Sequence, residues 1–354
     1  MTEMHALRWG VAGVAISAVI GTALGAEAVA NQDPRLPASA EPACTTAGWL
    51  KFSNNPVLGG QYGTCFDVSV LKDDGRYRMW LSWRPKASVA LAESSDGIHF
   101  ERRAEPVFYP SADSQQDREW PGGCEDPRIV ESEDGTYVMT YTQWNRKRTA
   151  AAIATSKDLV HWTKYGPALE GNKYAALSYK SAGIVTRLVN GRLIAVKIHD
   201  KYWMYWGEGT IRLATSDDLI HWKPIEGPDG SALAVLDKRP GKFDSSFPEV
   251  GPPPILSRDG IVVIYNGKND PEHGDPTLGP NAYSAGQGLF NIDDPQRAIA
   301  RADKPFFRPE MPFEKSGQYA AGTTFAEGLV YFKNKWFLYY GCADSLVGVA
   351  VDDN

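Results

Sequence analysis

The chain has 354 residues, a formal net charge of −6 at pH 7, and 11 tryptophans, 16 tyrosines and 13 phenylalanines. The negative charge and an isoelectric point near 5.6 argue against a nucleic-acid partner, which would require a basic stripe. This many aromatic residues can fill a large core and also line a cleft, and aromatic clefts suit sugars, whose C–H faces stack on rings. Composition alone does not choose a sugar over other ligands.

The first 30 residues have the pattern of a signal peptide. Arg8 lies in the charged start, an apolar run follows from residue 11 to residue 24, and Ala26 and Ala28 mark a cleavage site. The apolar run is too short for a comfortable transmembrane helix. We predict a signal peptide at residues 1–30, a leader at residues 31–51, and a periplasmic or secreted protein with no membrane contact after cleavage.

From residue 52 onward one pattern returns five times: an apolar strand, a tight turn, a second strand rich in aromatic residues, and a third strand with an acidic end. The turn pairs mostly tolerate positive φ, and they are Asp74-Gly75, Asp134-Gly135, Asn190-Gly191, Asp259-Gly260 and Lys333-Asn334. The acidic ends at Asp96, Asp158 and Asp218 are 62 and 60 residues apart, a length typical of propeller blades. We predict an all-β, five-bladed β-propeller over residues 52–354, with Leu193 to His199 as the second strand of its third repeat.

Neither the histidines nor the cysteines suggest a metal site. His99, His161 and His221 recur at one position of the repeat, where turn hydrogen bonds are a better explanation than metal binding. The cysteines show no CxxC spacing, and they are Cys44, Cys65, Cys124 and Cys342. In an exported protein at least one disulfide is plausible, most simply one that involves Cys44. No metal and no cofactor are predicted.

The chemistry should lie at the leading ends of the inner strands, which converge on the axis of a propeller. Asp67, Asp126 and Glu249 stand at three of these ends, Lys180 stands at a fourth, and Glu327 lies further along the last inner strand. Carboxylates that share one concave site repel each other, so their pKa values move apart and supply an acid and a base. Structural roles remain open for these residues: Asp126 could cap a turn, and Asp67 could accept backbone N–H groups of its own loop. The pattern does not determine to which side of its strand the Glu327 side chain points.

Three motifs together resemble glycoside hydrolase family 130. They are Gly123-Cys124-Glu125-Asp126-Pro127-Arg128, Gly251-Pro252-Pro253-Pro254-Ile255 and Tyr340-Gly341-Cys342-Ala343-Asp344. The resemblance covers roughly residues 52–354, and it implies a five-bladed propeller that acts on β-mannosides as an inverting phosphorylase or a hydrolase. It also implies that Asp126 is the general acid, acting through a hydroxyl of the bound sugar. The expected substrate-binding residues are Trp83, Arg84, Arg128, Lys180, Glu327 and Asp344.

Departures from the family pattern favour hydrolysis. Phosphorylases of the family usually have Tyr-His-Gly where this chain has Tyr265-Asn266-Gly267, so one phosphate partner is lost. Glu249 in the same region would repel phosphate and could activate water as the general base. Export agrees, because phosphorolysis conserves energy only where the sugar phosphate stays inside the cell. We predict an exported inverting hydrolase of β-mannosides or related oligosaccharides.

Three alternatives to this hydrolase stay open. The segment Phe66-Asp67-Val68-Ser69 resembles furanosidase propellers of families 43 and 32, in which the first-blade aspartate is a base or nucleophile, so Asp67 rivals Glu249. A phosphorylase of family 130 and a non-catalytic glycan-binding propeller are the other two. The sugar, the linkage and the oligomeric state are left open.

Overall fold

The computed structural model describes residues 49–60, 63–73, 75–169, 173–174, 177–316, 319–332 and 334–352. The predicted signal peptide, most of the predicted leader and Cys44 lie outside these residues. The described chain is almost entirely β-structure, which confirms the predicted class. Its helical segments are the single α-helical turn Gln116–Glu119 and the 3-10 turns Arg84–Lys86 and Pro312–Lys315. None of the described helices has the length and apolar content that a membrane crossing needs.

The strands form successive antiparallel groups. Two short strands come first: β1 (Trp49–Lys51) and β2 (Leu58–Gly59). The first group is β3 (Cys65–Asp73), β4 (Arg76–Trp83), β5 (Ser88–Ser94) and β6 (Glu101–Arg102), and the second is β7 (Gly123–Glu131), β8 (Tyr137–Trp144), β9 (Thr149–Ser156) and β10 (Thr163–Pro167). The third is β11 (Ala182–Ile184), β12 (Thr186–Val189), β13 (Arg192–Ala195), β14 (Lys197–Ile198), β15 (Lys201–Trp206), β16 (Ile211–Ser216), β17 (Lys223–Pro224) and β18 (Ala234–Leu236). The fourth is β19 (Phe247–Val250), β20 (Ile255–Ser257), β21 (Gly260–Lys268), β22 (Tyr283–Phe290) and β23 (Ala298–Arg301). The fifth is β24 (Phe325–Phe332), β25 (Lys335–Cys342) and β26 (Leu346–Asp352), and β1 completes it.

The groups pack side by side in a closed ring. Inner strand β3 contacts β7, β7 contacts β11, β15 contacts β19, β21 contacts β24, and β24 returns to β3. Each of five hydrophobic clusters lies largely between two neighbouring groups. The fold is of the propeller type. Because strands β12 and β13 of the third group join the second and fourth groups into one 11-stranded sheet, the number of separate blades stays a prediction.

Aromatic side chains on the second strands fill the space between the groups. Trp80 on β4, Tyr141 on β8, Tyr205 on β15, Tyr265 on β21 and Tyr339 on β25 are all buried. Burying one large aromatic side chain contributes about 1.5–3 kcal/mol. The repeated aromatic pattern of the sequence is therefore a packing pattern, and it fixes how the inner strands face the axis.

The predicted turn residues form hairpin turns, but the strands of the third repeat differ from the prediction. Gly75, Asn190, Gly191 and Asn334 have positive φ in the expected hairpins. The segment predicted as one strand from Leu193 to His199 is instead split into β13 and β14, and β15 then pairs with inner strand β11. His199 and Asp200 both have positive φ, so an additional hairpin turn lies where the sequence pattern suggested a strand end.

The recurring histidines take part in a repeated turn. His99 Nδ1 lies 2.8 Å from Asp96 Oδ2, and Asp96 Oδ1 accepts the backbone N–H groups of Ile98 and His99. The same contacts recur at Asp158 with His161 and at Asp218 with His221. These histidines satisfy turn hydrogen bonds, as predicted.

The fold begins before the predicted boundary at residue 52. Strand β1 pairs with β26, and Lys51 Nζ donates to Glu314 Oε2 at 2.9 Å and to the Arg308 carbonyl at 2.7 Å. Lys51 is buried, so this contact ties the chain start to the last group. Residues 49–51 therefore belong to the domain and not to the leader.

The described cysteines are Cys65, Cys124 and Cys342, and each is a buried free thiol. Burial raises the pKa of the Cys65 thiol to about 11 and raises those of the other two thiols well above the usual value. No disulfide links these three residues. The predicted disulfide of Cys44 falls on a residue outside the described chain.

Candidate active site

Three acidic side chains meet where the inner strands of three groups are irregular. The pairing register shifts around Asp67 in β3, around Asp126 in β7 and around Glu327 in β24. A bulge of this kind re-aims a side chain, and Asp67 and Asp126 have φ values of 49° and 53°. Carboxylate oxygens of the three residues lie within 4.8 Å of one another. The bulges thus bring acids from three separate repeats into one cluster.

Asp67 and Asp126 form a close carboxyl pair, with side-chain oxygens within 4.8 Å of each other. Burial raises the pKa of Asp67 well above its usual value, and the nearby charges of Glu327 and Asp126 raise it further. Burial also acts to raise the pKa of Asp126, but the Lys180 ammonium and the hydrogen bond from Asp67 outweigh it and hold that pKa below the usual range. Thr142 Oγ1 donates to Asp126 Oδ2 at 2.5 Å. Asp126 is therefore the better-stabilised carboxylate of the pair, and the surroundings of Asp67 favour its protonated form.

Arg128 is a buried residue that hydrogen-bonds to other parts of the protein. This corrects its prediction as a substrate-binding residue. Its Nε donates to the Gly251 carbonyl and its Nη2 to the Val250 carbonyl, both at 3.0 Å. Its Nη1 donates to the Asp126 carbonyl at 2.9 Å, and Nη2 also pairs with Glu327. The guanidinium is buried and four of its five N–H groups have these partners. Arg128 links the second, fourth and fifth groups at the axis.

Glu327 is likewise an internal residue rather than an open sugar contact. Its side chain is fully buried, one oxygen pairs with Arg128, and Oε2 has no hydrogen-bond partner among the described residues. Burial raises the pKa of Glu327 to about 8, although the Arg128 charge opposes this rise. The predicted substrate contact of Glu327 is therefore not supported by its surroundings.

Lys180 joins the acid cluster to a second acidic pair. Its Nζ lies 2.9 Å from Glu249 Oε1 and 3.8 Å from Asp126 Oδ2. Ser181 also donates to Glu249, and an isolated β-bridge places Glu208 beside Glu249. The surrounding protein and the charges of Glu249 and Asp126 raise the pKa of Glu208 to about 7. Lys180 thus contacts both Glu249 and Asp126, so these two carboxylates share one cation.

Arg84 and Asp344 form the accessible edge of the site. Arg84 Nη2 lies 3.5 Å from Glu125 Oε1 and 3.9 Å from Asp344 Oδ2, and its guanidinium covers the Phe66 ring at 4.6 Å. The Arg84 side chain is 42% exposed. Burial and the Asp126 charge raise the pKa of Glu125 to about 7. Arg84 and Asp344 thus lie at the accessible edge, and their contact with a ligand stays a prediction.

Trp83 is a core residue, which corrects its prediction as a substrate-binding aromatic. It is 8% exposed and belongs to the hydrophobic cluster between the first and fifth groups. The Arg102 guanidinium lies 3.8 Å from the centre of its ring and covers one face. A sugar cannot stack on a ring that is covered in this way.

The charge of the acid cluster is compensated within the protein. Asp67, Asp126 and Glu327 have oxygens close enough to hold a cation. Arg128 already pairs with Glu327, and the Lys180 ammonium lies 3.8 Å from Asp126 Oδ2. The site therefore has two internal cations that compensate its acids, and the expectation of no metal stays a prediction.

The model of glycoside hydrolase family 130, described as β-1,4-mannooligosaccharide phosphorylase, matches residues 74–353. The chain belongs to glycoside hydrolase family 130. The match includes every predicted site residue except Asp67.

The named relatives in family 130 include phosphorylases. The chain is 33% identical to a 1,2-β-oligomannan phosphorylase from Thermoanaerobacter sp. (strain X514), over 74% of this chain and 77% of the relative. It is 29% identical to a β-1,2-mannobiose phosphorylase from the same organism, over 75% of this chain and 76% of the relative. By their names, both relatives act on β-1,2-linked mannosides.

Solved structures of higher identity are described as glycoside hydrolases. One, a putative glycoside hydrolase from Parabacteroides distasonis ATCC 8503, is 46% identical, has a TM-score of 0.84, and is matched over 87% of this chain and 97% of that chain. Another is 46% identical, has a TM-score of 0.83, and is matched over 86% and 93% of the two chains. It comes from work that describes family 130 as a family of mannoside phosphorylases that contains glycoside hydrolases targeting β-1,2-mannosidic linkages in Candida mannan. A thermostable family-43 glycoside hydrolase, at 14% identity and a TM-score of 0.57, shares the fold alone.

Sequence reasoning missed two parts of this family 130 site. Glu208 lies in the connection after β15, and no motif marks it. The second part is an aromatic wall, in which the Tyr283 ring lies 5.9 Å from Phe247, 5.6 Å from Tyr319 and 5.8 Å from Phe325. Phe247, Tyr283 and Phe325 each begin a strand, and this shared position is a signal in the sequence that could have identified them.

Proposed function

We propose that this family 130 protein is an exported, inverting β-mannoside hydrolase with a preference for β-1,2 linkages. The observation that carries the proposal is the position of Glu249 and Glu208, adjacent to each other and across Lys180 from Asp126. A phosphate ion that approached Lys180 would meet two carboxylates. Water is neutral, so the carboxylates do not repel it, and they can accept a proton from it.

The local charge supports water as the attacking group. The acids around the site are Asp67, Glu125, Asp126, Glu208, Glu249, Glu327 and Asp344, and the cations are Arg84, Arg128, Lys180 and Lys268. Asn266 stands where the sequence pattern of phosphorylases has histidine. Its amide donates to the Ala326 carbonyl at 3.1 Å, and its oxygen accepts the Ala326 N–H at 2.8 Å. The Asn266 amide is therefore used within the protein and is not directed at an anion.

In this proposal Asp126 protonates the leaving oxygen and Glu249 takes a proton from the attacking water. Asp67 is not the base, because a buried carboxyl that holds a proton cannot accept another from water. Arg84 and Asp344 hold the sugar at the accessible edge, and the aromatic wall of Phe247, Tyr283, Tyr319 and Phe325 packs against its C–H faces. A separate acid and base lead to inversion at the anomeric carbon.

A phosphorylase is the second candidate, and the names of the curated relatives favour it over a hydrolase. The β-1,2 preference is drawn from those names and from the description of the hydrolase structures. Export is proposed only on the signal-peptide pattern of residues 1–30.

Product analysis separates the candidates. The purified protein is incubated with β-1,2-mannobiose, and with β-1,4-mannobiose as the linkage control, in the presence and absence of phosphate. We expect free mannose without phosphate, no acceleration by phosphate, and α-mannose as the first anomer seen by proton NMR. Mannose 1-phosphate that forms only with phosphate would establish the second candidate instead. Binding without turnover of either sugar would indicate a glycan-binding protein.

A further inference from the structure

The carboxyl pair of Asp67 and Asp126 is asymmetric in its surroundings. Two carboxyl groups can form a hydrogen bond only if one of them carries a proton, since an ionised carboxylate has no donor. Thr142 donates to Asp126 and the Lys180 ammonium lies nearby, so positive and donor groups stabilise this carboxylate. Asp67 is buried and instead faces the charges of Glu327 and Asp344. The shared proton therefore resides on Asp67.

We propose that Asp67 is a positioning residue that stores the proton of the general acid and delivers it to Asp126 as the glycosidic bond breaks. The inference rests on the proposed function only for the need to protonate a leaving oxygen. Hydrolysis and phosphorolysis share that need, so the role of Asp67 holds in either reaction. It replaces the expectation that Asp67 is a base or a nucleophile.

The proton balance of the step is complete. Asp67 gives the single proton of the pair to the Asp126 carboxylate, and Asp126 passes that proton to the leaving oxygen, so both carboxyls end the step ionised. The bond from the anomeric carbon to the leaving oxygen breaks, and its electron pair stays on that oxygen. Water forms the new bond to the anomeric carbon and gives one proton to Glu249. Glu249 then releases a proton to solvent and Asp67 takes one up.

The groups around Asp67 determine how the stored proton responds to pH. Burial, Glu327, Asp126 and Asp344 all raise the pKa of Asp67. The other charged or titratable groups that interact with it are Arg128, Lys180 and Tyr319. Because its pKa is raised, Asp67 loses the stored proton at a higher pH than an ordinary aspartate does, so the alkaline limb of the pH–rate profile reports that loss.

The test is Asp67→Asn, which keeps an N–H donor for Asp126 but cannot transfer a proton. We expect kcat on β-1,2-mannobiose to fall about 10²–10⁴-fold with little change in KM, and the alkaline limb to move to lower pH. A dinitrophenyl β-mannoside, whose leaving group needs no proton, should keep most of its rate. The control is Thr142→Val, which removes a donor to Asp126 but no proton and should retain the alkaline limb.

Two results would overturn the proposal. The first is a kcat within about threefold of wild type together with an unmoved alkaline limb. The second is an equal loss on both substrates, which would mean that Asp67 only supports the fold. If Asp67→Asn does not fold, ¹³C NMR of the wild type labelled at the aspartate carboxyls still decides: one protonated aspartate is expected at pH 7, and none would contradict the proposal. Mannose 1-phosphate as the product would refute the hydrolase and leave this test unchanged.

Discussion

Arg128→Met should destabilise the fold rather than weaken sugar binding. The substitution removes one partner of a buried ion pair, which costs about 3–5 kcal/mol. It also leaves the carbonyls of Asp126, Val250 and Gly251 without their charged donor. For a domain of this size we expect a melting temperature lower by on the order of 10 °C.

A double-mutant cycle and a matched control test this reasoning. Adding Glu327→Leu to Arg128→Met should recover part of the loss, because no unpaired carboxylate then remains in the interior. Arg84→Met is the control, since Arg84 is partly exposed and its ion pairs span 3.5 and 3.9 Å. Arg84→Met should lower the free energy of unfolding by less than about 1 kcal/mol. It should also raise the KM. Urea unfolding and steady-state kinetics measure both quantities. An Arg128→Met protein with wild-type stability and a raised KM would refute the structural role.

Three further predictions concern the carboxylates. Asp126→Asn should fold normally and lose about 10²–10⁴ in kcat on an unactivated disaccharide; near wild-type turnover would remove it as the acid. Glu249→Ala should lose hydrolysis and regain part of it with azide or formate, whereas Asp67→Ala should show no rescue; the reverse pattern would make Asp67 the base. Because the pKa of Glu327 is raised to about 8 in the fold, its stabilising contribution is fully present below about pH 4.5 and is lost as pH rises through 8. Glu327→Gln should therefore flatten the dependence of melting temperature on pH between 5 and 8, and an unchanged slope would contradict the assignment.

Local sequence features predicted much of the fold, because local chemistry determines them. The hairpin turns have positive φ at residues such as Gly75 and Asn334, and the two residues of each turn are enough to predict this conformation. The second strands could be predicted from their aromatic residues, because these side chains are buried between neighbouring groups. Asp126 and Glu249 could be located for the same reason: each begins or closely follows the start of an inner strand, and strand starts converge in a ring.

Contacts that depend on distant parts of the chain could not be predicted. The Arg128 guanidinium bonds to carbonyls 122 and 123 residues away, so its burial does not follow from the motif around it. The ring of Trp83 is covered by Arg102 from a different strand. Glu208 lies in a connection without a motif, and only a β-bridge to the strand of Glu249 brings it to the site.

The bulges explain why a sequence pattern could find the acids but not assign their roles. Alternation along a regular strand would fix the facing of Asp67, Asp126 and Glu327, but each lies where the register shifts. The shifts turn all three toward the axis, where their charges must be compensated. Arg128 compensates Glu327 and Lys180 compensates Asp126, whereas burial and the charges of Glu327 and Asp126 raise the pKa of Asp67. The proposed roles of the carboxyls thus depend on cations from other strands, which the motif around each acid does not contain.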